Sequence, residues 1–163
     1  MNYQDLITDF AKRTLANLDL VQRAADEGRP DAYEVTQLWN SLLGLIVAPR
    51  ERDVRRLPKT QLAQLYAIGW PVITTAGKLE SETLRGLVGT LRHAIAHFNV
   101  EFHANGDGEI QQVSLWNELT DDEGHPLPDH PHRWDGRLDI AQLEQLARKI
   151  VATYVHDLGT RAA

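Results

Sequence analysis

Apolar residues recur at three- and four-residue spacings through most of this chain, and only between positions 100 and 116 do they alternate with polar ones. That change of period predicts a mainly helical protein with a small antiparallel hairpin placed late. A first helix is expected over residues 3–27, with Leu6, Phe10, Leu15, Leu18 and Val21 on its inner face and Gly28-Arg29-Pro30 ending it. A second is expected from Asp31, which forms a capping-box pattern with Glu34. This helix is apolar on nearly every side from Leu42 to Val47, so it belongs at the centre of a bundle, and Pro49 stops it. A basic connector follows over 49–59, then a short helix over 60–69, then a longer one over 81–99. Val100–His103 and Ile110–Trp116 read as strands joined by the turn Asn105-Gly106-Asp107-Gly108. Trp134–Leu138 reads as a third strand, and Asp139 with Gln142 caps a last helix striped by Leu143, Leu146, Ile150, Val151 and Tyr154. The expected organisation is one domain over 1–163: a helical core at 1–99, a hairpin and acidic loop at 100–138, and a C-terminal helix at 139–160.

Composition narrows the chemistry. The chain has no cysteine, which removes disulfides, zinc fingers and thiol nucleophiles. No stretch is long and apolar enough to span a bilayer, and no secretory pattern opens the chain, so a cytoplasmic location without membrane attachment is expected. Net charge is −6, which opposes unspecific nucleic-acid binding. The charge is uneven: residues 1–100 carry 12 Lys/Arg against 11 Asp/Glu, and residues 101–163 carry 5 against 12. A polyanion would therefore meet the first part of the chain.

The helix over 81–99 carries the functional expectation. Leu84, Leu87, Val88, Leu91, Ile95 and Phe98 form one apolar stripe. The opposite side holds Gly86, Gly89, His93, Ala96 and His97, where a solvated face would carry Lys, Glu and Gln. Glycine in a helix interior costs up to about 1 kcal/mol relative to alanine. Close approach of a second copy of the chain would offset that cost, and so would tight packing against a neighbouring segment of the same chain. A two-fold homodimer through this face is expected. His93 and His97 lie one turn apart, a spacing that binds metal when a third ligand is present. Arg92 lies on the flank, roughly 140° round the helix from His97, within reach of the same cleft through its long side chain.

The segment Leu91-Arg92-His93-Ala94-Ile95-Ala96-His97-Phe98-Asn99 resembles the signature of the HEPN superfamily: an arginine, a polar residue, a short apolar run and a histidine near the helix end. Residues 34–45 are similar to the second-helix region of small stand-alone bacterial HEPN nucleases. The resemblance implies a HEPN-like bundle of about four to five helices, dimerising along the motif helix, that cuts RNA without metal or cofactor. It assigns Arg92 and His97 as catalytic, with His93 and Asn99 in supporting places, and it implies a toxin or phage-defence effector, with an antitoxin as a candidate partner. In related toxins a tyrosine follows the histidine by two residues. Asn99 stands there instead, so control through that tyrosine is not expected, and Asn99 is suited to cap the helix in a left-handed conformation.

The chemistry is coherent. RNA brings its own nucleophile, the 2′-hydroxyl. An imidazole, with an ordinary pKa of about 6.5, serves as base or acid near neutral pH. A guanidinium forks onto phosphate oxygens. One copy offers one Arg92 and one His97; two copies supply the full set. Arg50, Arg52, Arg55 and Arg56 are RNA-contact candidates, or else a solvated loop pairing with Glu51 and Asp53. His125, His130 and His132 beside Asp121, Asp122 and Asp129 suggest a metal-dependent hydrolase only weakly, because a Pro-rich loop is a poor frame for fixed coordination. The four tryptophans read as packing residues. The main alternative to a ribonuclease is a non-catalytic HEPN dimer that binds nucleotide, RNA or a protein partner.

Overall fold

The computed structural model describes residues 6–49, 51–79, 81–118, 123, 125, 127 and 133–158. The chain forms two compact units, one of residues 1–59 with 143–163 and one of residues 60–142.

In the first unit, α1 spans Leu6–Asp26. Its buried residues Ile7, Thr8, Ala11, Thr14 and Leu18 are spaced by one, three, three and four, one stripe of a 3.6-residue helix. The stripe expected through Phe10 and Leu15 is therefore rotated: Phe10 is exposed on the flank, where its ring tip covers Gly44. Helix α2 spans Glu34–Leu42 and continues as a wider π turn over Leu43–Val47, with Leu42, Leu45 and Ile46 buried as the all-round apolar pattern required. Asp31 does not cap it. The N-cap is Tyr33, without a side-chain bond, and Asp31 accepts a forked pair of bonds from Arg29 at 3.1 and 2.7 Å. A guanidinium two residues away engages both carboxylate oxygens, and those bonds hold the Asp31 carboxyl below its ordinary range. The stretch expected as a plain connector contains a short helix, α3, over Glu51–Val54, and buries Val54 and Leu57.

Helix α6 spans Ile140–Thr153 and ends in a second π turn, Tyr154–Leu158. Its capping box forms in both directions. The Gln142 N–H donates to Asp139 Oδ1 at 2.7 Å, and the Asp139 N–H donates to Gln142 Oε1 at 3.0 Å. The expected stripe from Leu143 to Tyr154 is buried throughout. Arg148 ties α6 to α1 through Asp19 at 2.7 Å while holding Glu144 at 2.8 Å. Tyr154 joins the two π turns: its hydroxyl donates to the Leu45 carbonyl at 3.2 Å, and its own carbonyl accepts from the Thr8 hydroxyl at 3.4 Å.

In the second unit, α4 (Leu62–Ala67) and α5 (Leu84–Ala96) start from one isolated bridge between Gln61 and Thr83. The sheet has the order β1-β4-β3-β2 and is antiparallel throughout, with β1 at Thr74–Gly77, β2 at Val100–Ala104, β3 at Ile110–Asn117 and β4 at Trp134–Asp139. Strands β2, β3 and β4 fall where the alternation placed them. Strand β1 was not legible, because three of its four residues are exposed and it has no inward-outward rhythm to read. Val113, Leu115, Asn117, Trp134, Gly136 and Leu138 make the buried face, and α5 packs on β3. The turn closes as expected: the Asn105 side-chain oxygen accepts from the Asp107 and Glu109 N–H groups at 3.0 and 2.9 Å, and Gly108 takes a φ of 83°. Trp39, Trp70 and Trp134 are buried and Trp116 half-buried, in keeping with packing roles. The Trp134 indole N–H donates to the Thr74 hydroxyl at 2.9 Å and so fastens β4 to β1.

Candidate functional site

Helix α5 starts on Thr83, whose hydroxyl accepts the Gly86 N–H at 3.2 Å. Leu84, Leu87, Val88, Leu91, Ala94 and Ile95 are all buried, which sets the rotation of the helix about its axis. His93, Ala96 and His97 then face outward and are exposed, with Arg92 half-buried beside them. The His93 and His97 rings lie 4.4 Å apart between centroids, tilted by 45°. Arg85 and Arg92 lie two turns apart on one flank. No acidic residue occurs from Thr83 to Val100, so the segment is uniformly basic within a chain of net charge −6.

The two glycines of the outer face have different causes. A Cβ at Gly86 would collide with the Ser81 carbonyl oxygen, so that glycine is required by this chain's own backbone and gives no reason to invoke a second copy. A Cβ at Gly89 would meet nothing within 4 Å, and Gly89 is exposed. Its cost to the helix has no compensation among the described residues.

The helix end departs from expectation. His97 is the C-cap, and Phe98 takes a φ of 56°. The Phe98 N–H donates to the Ile95 carbonyl at 3.1 Å and the Asn99 N–H to the Ala94 carbonyl at 2.9 Å, the paired bonds of a Schellman motif. The left-handed position is thus Phe98 rather than Asn99. Phe98, expected on the buried stripe, is 67% exposed, because the reversal of φ takes it off the helical track. Asn99 instead contributes its backbone, closing the helix and accepting the Trp116 N–H at 3.2 Å as the chain enters β2.

Asn117 is a positioning residue that the sequence reading missed. Its side-chain amide donates to the Thr90 carbonyl at 3.1 Å and ties β3 to α5 two residues before Arg92. Its Oδ1 is buried without a hydrogen-bond partner among the described residues. The signal was an asparagine in phase with Val113 and Leu115, a polar residue on the inward side of an alternating strand.

The other candidates are not gathered here. Arg55 and Arg56 belong to the first unit, where Arg56 lies 3.9 Å from Asp53. Arg50 and the side chain of Arg52 lie outside the described residues, as do His130, His132, Asp121, Asp122 and Asp129. His125 is exposed, 3.7 Å from Glu123. Among the described residues no three His, Asp or Glu side chains gather as a metal-ligand cluster, and no helix is long and apolar enough to cross a membrane.

A helical protein with a small antiparallel sheet and an outward arginine–histidine motif late in a packed helix has the form of a HEPN-class protein. The chain matches the HEPN pEK499 p136 family over residues 1–159 and belongs to that family. None of the curated proteins and none of the solved structures compared with it matches. Membership suggests a nuclease or otherwise RNA-related role.

Proposed function

We propose that this protein is an endoribonuclease that cuts RNA through the substrate's own 2′-hydroxyl, at a site completed when two copies meet along α5. The observation that carries this reading is the placement of His97: an exposed imidazole at the end of a helix whose opposite side is buried, in a segment with Arg92 and no acidic residue. One imidazole takes the 2′-hydroxyl proton as O2′ bonds to phosphorus. The P–O5′ bond breaks, and the second copy's imidazole gives a proton to the leaving oxygen. Arg92 guanidinium groups hold the non-bridging oxygens, where negative charge accumulates in the transition state. The products are a 2′,3′-cyclic phosphate and a 5′-hydroxyl. No step asks for a metal. Labelled RNA is therefore expected to be cut into those products in the presence of EDTA; cleavage that appears only when a divalent ion is added would end this reading. The biological setting we propose is a cytoplasmic toxin or phage-defence effector, restrained by an antitoxin. The connector arginines Arg55 and Arg56 are proposed as auxiliary contacts to the RNA backbone.

The dimer reading rests on Gly89 and its exposed neighbours His93, Ala96 and His97. Arginine in place of Gly89 meets open space within its own subunit, and as a better helix former it adds about 0.5–1 kcal/mol of stability. Gly89→Arg is expected to melt at or above the parent's temperature, to sediment as a monomer and to lose cleavage. A folded Gly89→Arg protein that stays dimeric and cuts RNA at the parent rate would remove this face from the site.

A further inference from the structure

Phe98 is accounted for neither by the fold nor by the proposed chemistry. Its φ of 56° lies where a bulky L residue is strained, and glycine or asparagine would close the same Schellman turn with less strain. Its side chain is 67% exposed, so burial within the subunit does not offset that strain. A strained backbone that presents a large apolar ring to water points to a contact outside the subunit.

The surroundings narrow what that contact is. Phe98 directly follows His97, and consecutive Cα atoms lie about 3.8 Å apart. Its backbone therefore adjoins that of His97, with both side chains exposed at the helix end. The segment from Thr83 to Val100 carries Arg85, Arg92, His93 and His97 and no carboxylate, a charge that suits a phosphate chain. Helical spacing puts Phe98 on the stripe opposite Gly89, His93 and Ala96, the face assigned above to a second copy, and the left-handed turn takes it off that stripe.

We propose that Phe98 is a stacking platform for an unpaired nucleobase flanking the phosphate engaged by Arg92 and His97; this rests on the ribonuclease reading of that pair. The ring has no hydrogen-bonding group, so it accepts any base face and selects strandedness rather than sequence. The substrate class is single-stranded RNA or the loop of a hairpin, where a base is free to leave its stack. Paired RNA keeps its bases stacked and gains nothing from the ring.

The test separates binding from turnover by using the full chain carrying His97→Ala, with a labelled single-stranded oligoribonucleotide containing 2-aminopurine and, in parallel, the same strand in a duplex. Adding Phe98→Gly is expected to weaken single-strand binding roughly tenfold or more, to abolish the quenching of 2-aminopurine, and to leave duplex binding unchanged. Phe98→Trp is expected to retain both binding and quenching. Phe98→Gly relieves the backbone, so its melting temperature is expected to equal or exceed the parent's, which keeps the result clear of misfolding. Equal binding with and without the ring would overturn the proposal, as would a sedimentation shift to monomer in Phe98→Gly, which would make the ring a contact between copies. If the chain with His97 intact cuts RNA and Phe98→Gly cuts it with the same KM, stacking fails and the ribonuclease reading stands. If the intact chain never cuts RNA yet binds it in a Phe98-dependent way, stacking stands and cleavage fails. Binding of no RNA by any variant would overturn both.

Discussion

Replacing His97 by alanine is expected to slow RNA cleavage by about 10²–10⁴-fold, the span that loss of a proton-transfer group produces, with almost no change in stability. The separation of the two effects follows from position. His97 is the C-cap of α5 and exposed, so truncating it opens no cavity. The turn that ends the helix is closed by backbone bonds from Phe98 and Asn99, which alanine leaves in place. Arg92→Ala is expected to fall in the same activity range for a different reason: it removes the guanidinium nearest His97 in the helix, and Arg85 lies two turns further back. Arg92→Lys keeps the charge without the fork, so partial recovery is expected. The assay is initial-rate cleavage of labelled RNA in EDTA, with melting curves of each variant alongside. A His97→Ala protein that cuts at the parent rate would remove His97 from the reaction. Only the binding-module reading would remain if His97→Ala binds RNA as the parent does and neither cuts it.

Tyr154→Ala is expected to cost about 3–5 kcal/mol, the range for deleting a fully buried aromatic ring. Tyr154 is 0% exposed and lies where two π turns meet. Its hydroxyl serves the Leu45 carbonyl, in the widened turn Leu43–Val47, and its backbone oxygen accepts from Thr8 on α1. Removing the ring leaves a cavity at the junction of α1, α2 and α6. Tyr154→Phe isolates the hydroxyl: the ring stays, the Leu45 carbonyl loses a donor in a buried place, and a cost of about 1–3 kcal/mol is expected. Urea denaturation followed by far-UV circular dichroism measures both. A Tyr154→Ala protein within about 1 kcal/mol of the parent would mean that the π junction is not a packing centre. Each variant's m-value also reports whether unfolding stays cooperative across the two units.

Much of the fold was legible because its determinants are local. The capping box at Asp139 and Gln142 needs only residues three apart, and both of its bonds form. The α5 stripe from Leu84 to Ile95 needs only helical spacing, and all of it is buried. The hairpin turn needs only Asn105 and Gly108 with their neighbours. The failures have two origins, one local and one not. Asp31 has a capping residue's identity, but a nearby guanidinium competes for it. Phe10 has a stripe residue's spacing, yet the rotation of α1 places Ile7, Ala11 and Thr14 inward in place of Phe10 and Leu15.

By itself the sequence determined which of the longer segments are helices, where the period turns to that of strands, and which arginine and histidines share the last turns of one helix. Those properties depend on residues within about four positions of one another, and propensity, capping and periodicity record them. Tertiary structure alone decided that Gly86 serves the chain's own Ser81, that Gly89 faces open space, that Asn117 fastens the motif helix to the sheet, and that β1 joins β4 through Thr74, 60 residues from Trp134. It also decided that the ring beside His97 turns outward on a left-handed backbone. The Asn117 and Thr74 contacts are settled by which distant segment arrives against a given backbone, and no local pattern contains that information; the Ser81 approach to Gly86 and the turn at Phe98 are near in sequence but follow from backbone geometry that residue spacing does not record.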